Sequence, residues 1–472
     1  MRLPLQKFVS HLKRGGQLAD PETVFDFLNR LQMTEEEWGD LSPILCEAYG
    51  VNDEEALRAL AGKRVPRKPF VDVLNDLEIT GWLRSVTDYA DGMESPMAFN
   101  FASALAIEAA VLRRRVFIDH RYFEIYPAIQ VLLVAPAGMS KTTGADFMLN
   151  RIGKPTKAFN ILPEEGSTEG LKKRLSTLAK QSGEASGITV IGELSNFVGK
   201  MEYNSTLVQS LCDLFDAREH KDRETVSRGS EKMQNIAVSA IMATNEELLA
   251  AAIPPIALGS GLLSRIVTFH VESEPKECPF PGDNIADPKE GDRLLADLAA
   301  MQFVKGAAEW ARAAKPLYTK FYSNYKKLAV EPDDVRLSGW YIRCAKVHLP
   351  RLALLLSVSE DPYRREPPLI TERHIHQAEG ILKWISLGLP GVYDWIGTSS
   401  WGEVRRTILK VFKGRRGRVP EADLARVLGS KMSRKTWMEH LNDMAISGMV
   451  KRETGQDWEG GVVWKLSERL RR

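Results

Sequence analysis

The stretch Val131-Leu132-Leu133-Val134-Ala135-Pro136-Ala137-Gly138-Met139-Ser140-Lys141-Thr142-Thr143 decides how this chain is read. Val131 to Val134 has the length and branching of a buried strand, and the residues from Thr142 onward, Thr-Thr-Gly-Ala-Asp-Phe-Met-Leu-Asn, suit a helix. Between them Ala135, Pro136, Ala137, Gly138, Met139 and Ser140 make a loop of mostly small residues that ends in a lysine. Strand, loop and helix in that order are the setting of a phosphate-binding P-loop. Such a loop aims backbone N–H groups and a helix N-terminus at phosphate oxygens, places a lysine between the outer phosphates and puts a hydroxyl on Mg²⁺. Lys141 fits the first of these side-chain roles and Thr142 the second, with Thr143 beside it. The usual pattern G-x-x-x-x-G-K-[ST] has glycines where this chain has Ala135 and Ser140, so Gly138 is the one loop glycine. A small side chain at Ser140 still lets phosphate approach. The competing reading is an ordinary strand-to-helix turn with a chance lysine.

About fifty residues beyond Lys141, a normal separation within P-loop ATPases, the apolar run Ile188-Thr189-Val190-Ile191-Gly192-Glu193 ends in a carboxylate. Glu193 is the candidate to polarise an attacking water, against the plainer reading of a surface glutamate at a strand end. The usual ending is Asp-Glu, with the aspartate on the metal side, and Gly192 stands in the aspartate's place. A further strand, Ile236 to Ala243, ends in Thr244-Asn245, where a polar side chain at the tip can hold a water near the γ-phosphate. Before it, the segment from Arg218 to Lys232 is a charged hairpin candidate whose Lys221, Arg223, Arg228 and Lys232 either meet DNA or are solvated. Gly259-Ser260-Gly261-Leu262-Leu263-Ser264-Arg265 then precedes the strand Ile266 to Val271. Arg265 is read either as a guanidinium acting on a neighbouring subunit's nucleotide or as half of a structural salt bridge.

Taken in order, Ala-Pro-Ala-Gly-Met-Ser-Lys-Thr, Ile-Gly-Glu-Leu-Ser, the charged hairpin, Ala-Thr-Asn and Leu-Leu-Ser-Arg resemble the AAA+ core of MCM-type hexameric helicases. The order is similar, more closely, to the helicase-like P-loop proteins of phages and mobile elements, the primase-helicase type. The resemblance covers about residues 129 to 271. It implies an ASCE-type α/β P-loop ATPase that uses ATP and Mg²⁺, with Asn245 as the sensor-1 residue and Arg265 as an arginine finger in trans. It also implies a pre-sensor hairpin facing a ring channel. MCM P-loops tolerate a small residue before the lysine, as Ser140 is here, whereas Gly192 departs from the family and bears on the rate of hydrolysis.

Outward from this core, residues 1–65 read as short amphipathic helices, with Val24, Phe27, Leu28 and Leu31 on one and Leu41, Ile44 and Leu45 on another. The basic, proline-punctuated segment from Lys63 to Pro69 suits a linker. The ATPase core is expected over 70–275, and within it the apolar stretch Ala98 to Ile107 reads as a helix that leads, through Arg113-Arg114-Arg115, into the P-loop strand. The roughly 120 residues before that strand read as mostly helical and are short for a primase domain. Residues 290–395 read as a helical lid, in which Arg343 and Arg351 read first as plain helix-surface residues and more weakly as candidates for a second sensor arginine. Residues 401–472 have the spacing of a winged helix: helices over 403–412, 421–428 and 433–446, then two strands. There Arg434 and Lys435, with Trp437 and His440, lie near the start of the third helix, and Lys413, Arg415, Arg416 and Arg418 are placed to meet phosphates. Docking to protein is the other use of such a module.

Composition agrees with a globular multidomain chain: 472 residues, 44% hydrophobic and 27% charged, with no apolar run long enough to span a bilayer. The N-terminus lacks a signal-peptide core, so a cytoplasmic location is expected, in a bacterial host if the source is a phage or mobile element. Cys46, Cys212, Cys278 and Cys344 are scattered singly, which suggests neither a zinc knuckle nor a disulfide framework. His374 and His376 are two apart on an expected helix and do not share a face. Residues 401–472 carry 17 Lys+Arg against 9 Asp+Glu on a chain whose net charge is only +2, and such asymmetry points to nucleic acid. The expectation is therefore a homo-oligomeric, hexameric DNA helicase or translocase, with single-stranded DNA in its channel, duplex at the winged helix and no membrane contact. The alternative is a non-translocating AAA+ ATP switch, an initiator, regulator or loader.

Overall fold

The computed structural model describes residues 41–47, 67–163, 168–194, 211–217, 220–225, 229–246, 248–249, 253, 261–272, 276–281, 287–332, 334–396, 408, 411–412, 418–428, 434–446, 450–454 and 462–466. The chain divides into two compact units, Met1–Pro69 and Phe70–Arg472. In the first, residues 41–47 are helical and bury Leu41 and Leu45; the other helices expected before residue 65 lie outside the described residues.

The second unit is mixed α/β. Helices α1 (Phe70–Asp76), α2 (Gly81–Ala90) and α3 (Met97–Leu112) precede strands β1 (Val116–Asp119) and β2 (Glu124–Ile125), which form a hairpin that the reading of this region as helix running into the P-loop strand does not include. All sixteen residues of α3 are buried. A helix apolar on every face belongs in the middle of a domain, and α3 packs against the sheet described next.

That sheet has four parallel strands: β3 (Gln130–Val134), β4 (Ser186–Ile191), β7 (Ala237–Thr244) and β8 (Val267–His270), in the order β4-β7-β3-β8. Every residue of the four is buried, as the near-continuous β-branched and aliphatic runs require of a sheet covered on both faces. Register places Val134 of β3 beside Thr244 and His270, so the carboxyl ends of three strands share one edge. A parallel bridge from Ile161 to Ile188 continues the pairing beyond β4. After β3 come α4 (Lys141–Phe147), a π-turn over Met148–Gly153, and α5 (Thr168–Ser182). Between β4 and β7, β5 (His220–Thr225) and β6 (Gly229–Gln234) form an antiparallel hairpin where the charged segment was expected to fold back.

Helices α6 (Pro288–Met301), α7 (Ala314–Val330), α8 (Ser338–Arg343), α9 (Leu349–Glu360) and α10 (Glu372–Ile396) follow, with the two-residue strands β9 (Gly306–Ala307), β10 (Glu309–Trp310) and β11 (Leu369–Ile370) among them. The apolar run 340–356 is helical throughout, but its backbone widens into a π-turn at Cys344–His348 just before Pro350, which has no N–H to continue an α ladder. One apolar core runs from Phe70 to Ile396, so the helices after residue 288 share it with the sheet. No helix among the described residues is long and apolar enough to cross a membrane.

A second, separate core gathers Ile408, Phe412, Leu424, Trp437, Leu441 and Trp464. Around it lie β12 (Arg418–Pro420), α11 (Glu421–Leu428), α12 (Arg434–Ile446), β13 (Val450–Thr454) and β14 (Val462–Leu466), with a three-stranded sheet in the order β12-β14-β13.

Candidate active site

Ligands of open parallel sheets bind in the crevice beyond the carboxyl ends of the strands, and that edge is where the sequence-derived residues meet. The loop 135–140 leaves β3 and enters α4 through two residues with positive φ. Gly138 has φ 86°, and a Cβ there would meet nothing within 4 Å. Ser140 has φ 45° and ψ 32°, the left-handed conformation that normally selects glycine, which is the physical content of the usual glycine at this place. Successive backbone N–H groups turned in this way form a concavity suited to an anion.

Lys141 Nζ donates to the carbonyls of Ala135 (2.9 Å) and Pro136 (2.8 Å), which folds the ammonium over the mouth of the loop. Burial lowers its pKa, and the negative charges of Glu193 and Glu246 oppose that shift. Thr142 lies against Gly192: a Cβ added to the glycine would sit 3.6 Å from Thr142 Cγ2. The position of the absent aspartate is thus at the Thr142 side chain, where a metal ligand is expected. Glu193, at the next residue, accepts a hydrogen bond from Thr244 Oγ1 at 2.9 Å. Two neighbouring strand tips are joined by that bond, and it fixes one oxygen of the carboxylate.

Asn245 follows. Its Oδ1 accepts from the Leu248 N–H at 2.7 Å, a local cap of the next turn, which leaves its Nδ2 as the group able to donate toward the site. Sequence reasoning passed over Glu246 and His270, whose side chains meet at 2.6 Å with the imidazole buried. Their sequence signal is slight: His270 ends β8 and Glu246 follows β7 by two residues, both strands flanking β3. It also passed over a cavity of about 680 Å³ beside Ser140 and Thr143, walled by Met93, Phe147, Cys278 and Pro279. The loop carrying Cys278 is tied to the turn at 91–92 by Lys276 on Asp91 and by the Cys278 thiol on the Gly92 carbonyl.

The residues present fit a magnesium nucleotide: a nest for phosphates, a lysine, a hydroxyl and a carboxylate. Among the described residues no group of three His, Cys, Asp or Glu side chains is gathered to hold a metal alone, and Mg²⁺ usually relies on phosphates, waters and one or two protein oxygens. His374 bonds Thr371 and pairs with Glu360, so it belongs to the helical region's own packing.

Arg265 is elsewhere. It precedes β8, whose far end carries His270, so a strand's length separates it from the loop 135–140. Its Nε and Nη2 grip both oxygens of Asp216 at 2.9 Å, and Arg343 reaches the same carboxylate at 2.5 Å. Burial pushes the Asp216 pKa up, but the Arg265 hydrogen bonds and the Arg343 charge outweigh it and leave the carboxyl below its ordinary value. Within the chain Arg265 therefore has the salt-bridge role. Arg351 donates to the Tyr126 carbonyl, and burial with the nearby Arg343 charge brings it down to about 9. Arg343 and Arg351 are thus internal braces rather than the helix-surface residues that the sequence suggested.

The expected DNA-contacting residues are dispersed. On the hairpin, backbone register sets Arg223 opposite Glu231, Lys232 opposite Asp222 and Lys221 opposite Met233. Arg228, Arg415 and Arg416 lie outside the described residues. Arg418 is exposed on β12, and Arg434 is exposed at the start of α12, 3.2 Å from Glu421. Lys435 lies next to it on α12. Trp437, read with Arg434 and Lys435 near the start of the third helix, is buried in the small core that also holds Val419, Val450 and Trp464 of the sheet.

No protein-family model matches this chain, and no curated protein matches it.

Proposed function

We propose that this chain is an AAA+ ATPase that works as a ring-forming DNA helicase or translocase in the replication of phage or mobile-element DNA. The observation that carries the reading is the meeting of Lys141, Thr142 and the Thr244-bonded Glu193 at the carboxyl edge of a parallel sheet. The strand order supports it, since β7 stands between the P-loop strand and the carboxylate strand and brings Thr244 and Asn245 between them.

Bound ATP with Mg²⁺ would supply the electrophilic γ-phosphorus and neutralise charge on its oxygens. The chain's own residues do the rest. The 138–140 nest and Lys141 bind and orient the phosphates, with Lys141 exchanging the Ala135 and Pro136 carbonyls for phosphate oxygens. Thr142 offers its hydroxyl to the metal. Glu193, aligned by Thr244, accepts a proton from the attacking water, and Asn245 Nδ2 positions that water. The cavity beside Thr143 takes the nucleoside. Arg265 cannot reach its own P-loop, so its action on a nucleotide would be on a neighbour's, after release from Asp216. The fold of residues 408–466 is read as a winged helix that holds duplex DNA through Arg418, Arg434 and the basic residues around them.

The alternative, a non-translocating ATP switch that initiates or regulates replication, draws support from Gly192 and from the engagement of Arg265 with Asp216. Strand displacement on forked DNA with ATP and Mg²⁺ separates the two. Unwinding that stops in Lys141→Ala supports the motor; ATP-dependent assembly and DNA binding without displacement supports the switch.

A further inference from the structure

The β1–β2 hairpin closes on His120-Arg121-Tyr122-Phe123, with the His120 N–H donating to the Phe123 carbonyl at 3.1 Å. Tyr122 is 97% exposed and Phe123 55%, in a turn that holds Arg121 at φ 65°. The His120 ring lies 5.0 Å from that of Phe123 and supports it from one side, which leaves the rings a preformed platform.

Below the tip opens a cleft of about 820 Å³. Its far wall is made by Ala217 and Asn235, the residues flanking the β5–β6 hairpin. Arg114 ties the two hairpins together, donating to the Ala217 carbonyl at 2.6 Å while its guanidinium covers the Tyr126 ring at 3.6 Å. Of the carboxylates in the cleft, Glu184 is paired with Arg113, and Asp216 carries two arginines. What remains is Arg114, Arg115 and Arg121 against Asp119 and Glu124, a positive excess.

We propose that this tip and cleft bind single-stranded nucleic acid, with bases stacked on Tyr122 and Phe123 and phosphates drawn to the arginines; the proposal rests on the nucleic-acid part of the functional reading above. Stacking on exposed rings beside a cationic groove is the general chemistry of single-strand binding. Paired bases would hide the faces that such rings use. A protein ligand would call for a broader apolar patch, whereas most of the residues lining this cleft are charged.

The test is fluorescence anisotropy on the full chain without nucleotide, with short labelled oligo(dT) and oligo(rU). Tyr122→Ala should weaken binding about tenfold, by loss of one stacking platform, and Tyr122→Trp should restore it. Arg121→Glu should weaken binding and flatten its salt dependence. Weakening with either oligomer supports the proposal, and the oligomer weakened more names the sugar. Tyr122→Ala with unchanged affinity for both overturns it. So does a loss that accompanies a changed oligomeric state in light scattering, which would assign the tip to a subunit contact. Because Tyr122 is exposed, its substitution leaves the melting temperature and DNA-independent ATP turnover as they were. Lys141→Ala should keep oligonucleotide binding, so failure of the nucleotide reading and failure of this one are told apart.

Discussion

Ser140 holds a left-handed backbone at a cost of roughly 1–2 kcal/mol that glycine would not incur. Ser140→Gly should therefore leave nucleotide affinity unchanged or improved, and Ser140→Val should abolish it, as read by titration with a fluorescent ATP analogue. Glu108 is a second residue set against its surroundings. It is fully buried in α3, neither carboxyl oxygen has a hydrogen-bond partner, and burial raises its pKa well above 4.5. The folded chain keeps this proton while the unfolded chain releases it above pH 4.5. Stability tied to Glu108 is thus fullest below that pH and is lost as pH rises through the folded value. Glu108→Gln should match the parent in acid and exceed it increasingly toward neutral pH, by up to about 1.4 kcal/mol for each pH unit, in denaturant melts across pH.

Helix α4, after the loop 135–140, is placed by contact as well as by sequence. A Cβ on Gly144 would lie 2.3 Å from Ser95 Oγ and 2.6 Å from Asn100 Oδ1, and Asn100 is itself held by the carbonyls of Ala90 and Ser95. A methyl at Gly144 must displace the Ser95 and Asn100 side chains or shift α4, at about 1–3 kcal/mol, so Gly144→Ala should lower the melting temperature and weaken ATP binding. Strands β3 and β4 and helix α4 were legible because each is a contiguous run bounded by a change of residue character. Glu246 with His270, and Asp216 with Arg265 and Arg343, were not, because those partners lie 24, 49 and 127 residues apart and meet only when the strands and helices are ordered. The β1–β2 hairpin had a local signal, Val-Phe-Ile-Asp followed by His-Arg-Tyr-Phe-Glu-Ile, that the strong apolar helix before it overshadowed.

At the scale of the whole molecule, the basic segment 401–472 should contribute DNA contacts mainly to phosphate, so its deletion should weaken duplex binding, reduce the salt dependence and spare basal ATP turnover. Unchanged duplex affinity would make it a protein-docking module. Arg265 bears on assembly: if it completes a neighbour's site, chains lacking Arg265 and chains lacking Lys141, each inactive, should recover turnover when mixed. No rescue in verified mixed assemblies, with a lowered melting temperature for Arg265→Ala, would leave it as the partner of Asp216 alone. The central claim, that Glu193 turns over ATP held by Lys141 and Thr142, is tested most directly by one paired measurement on Glu193→Gln: ATP binding at equilibrium and steady-state ATP turnover with DNA present. Binding at the parent's affinity with turnover reduced by two or more orders of magnitude, on the order of what a lost general base removes, is the predicted result. Turnover at the parent rate would contradict the account.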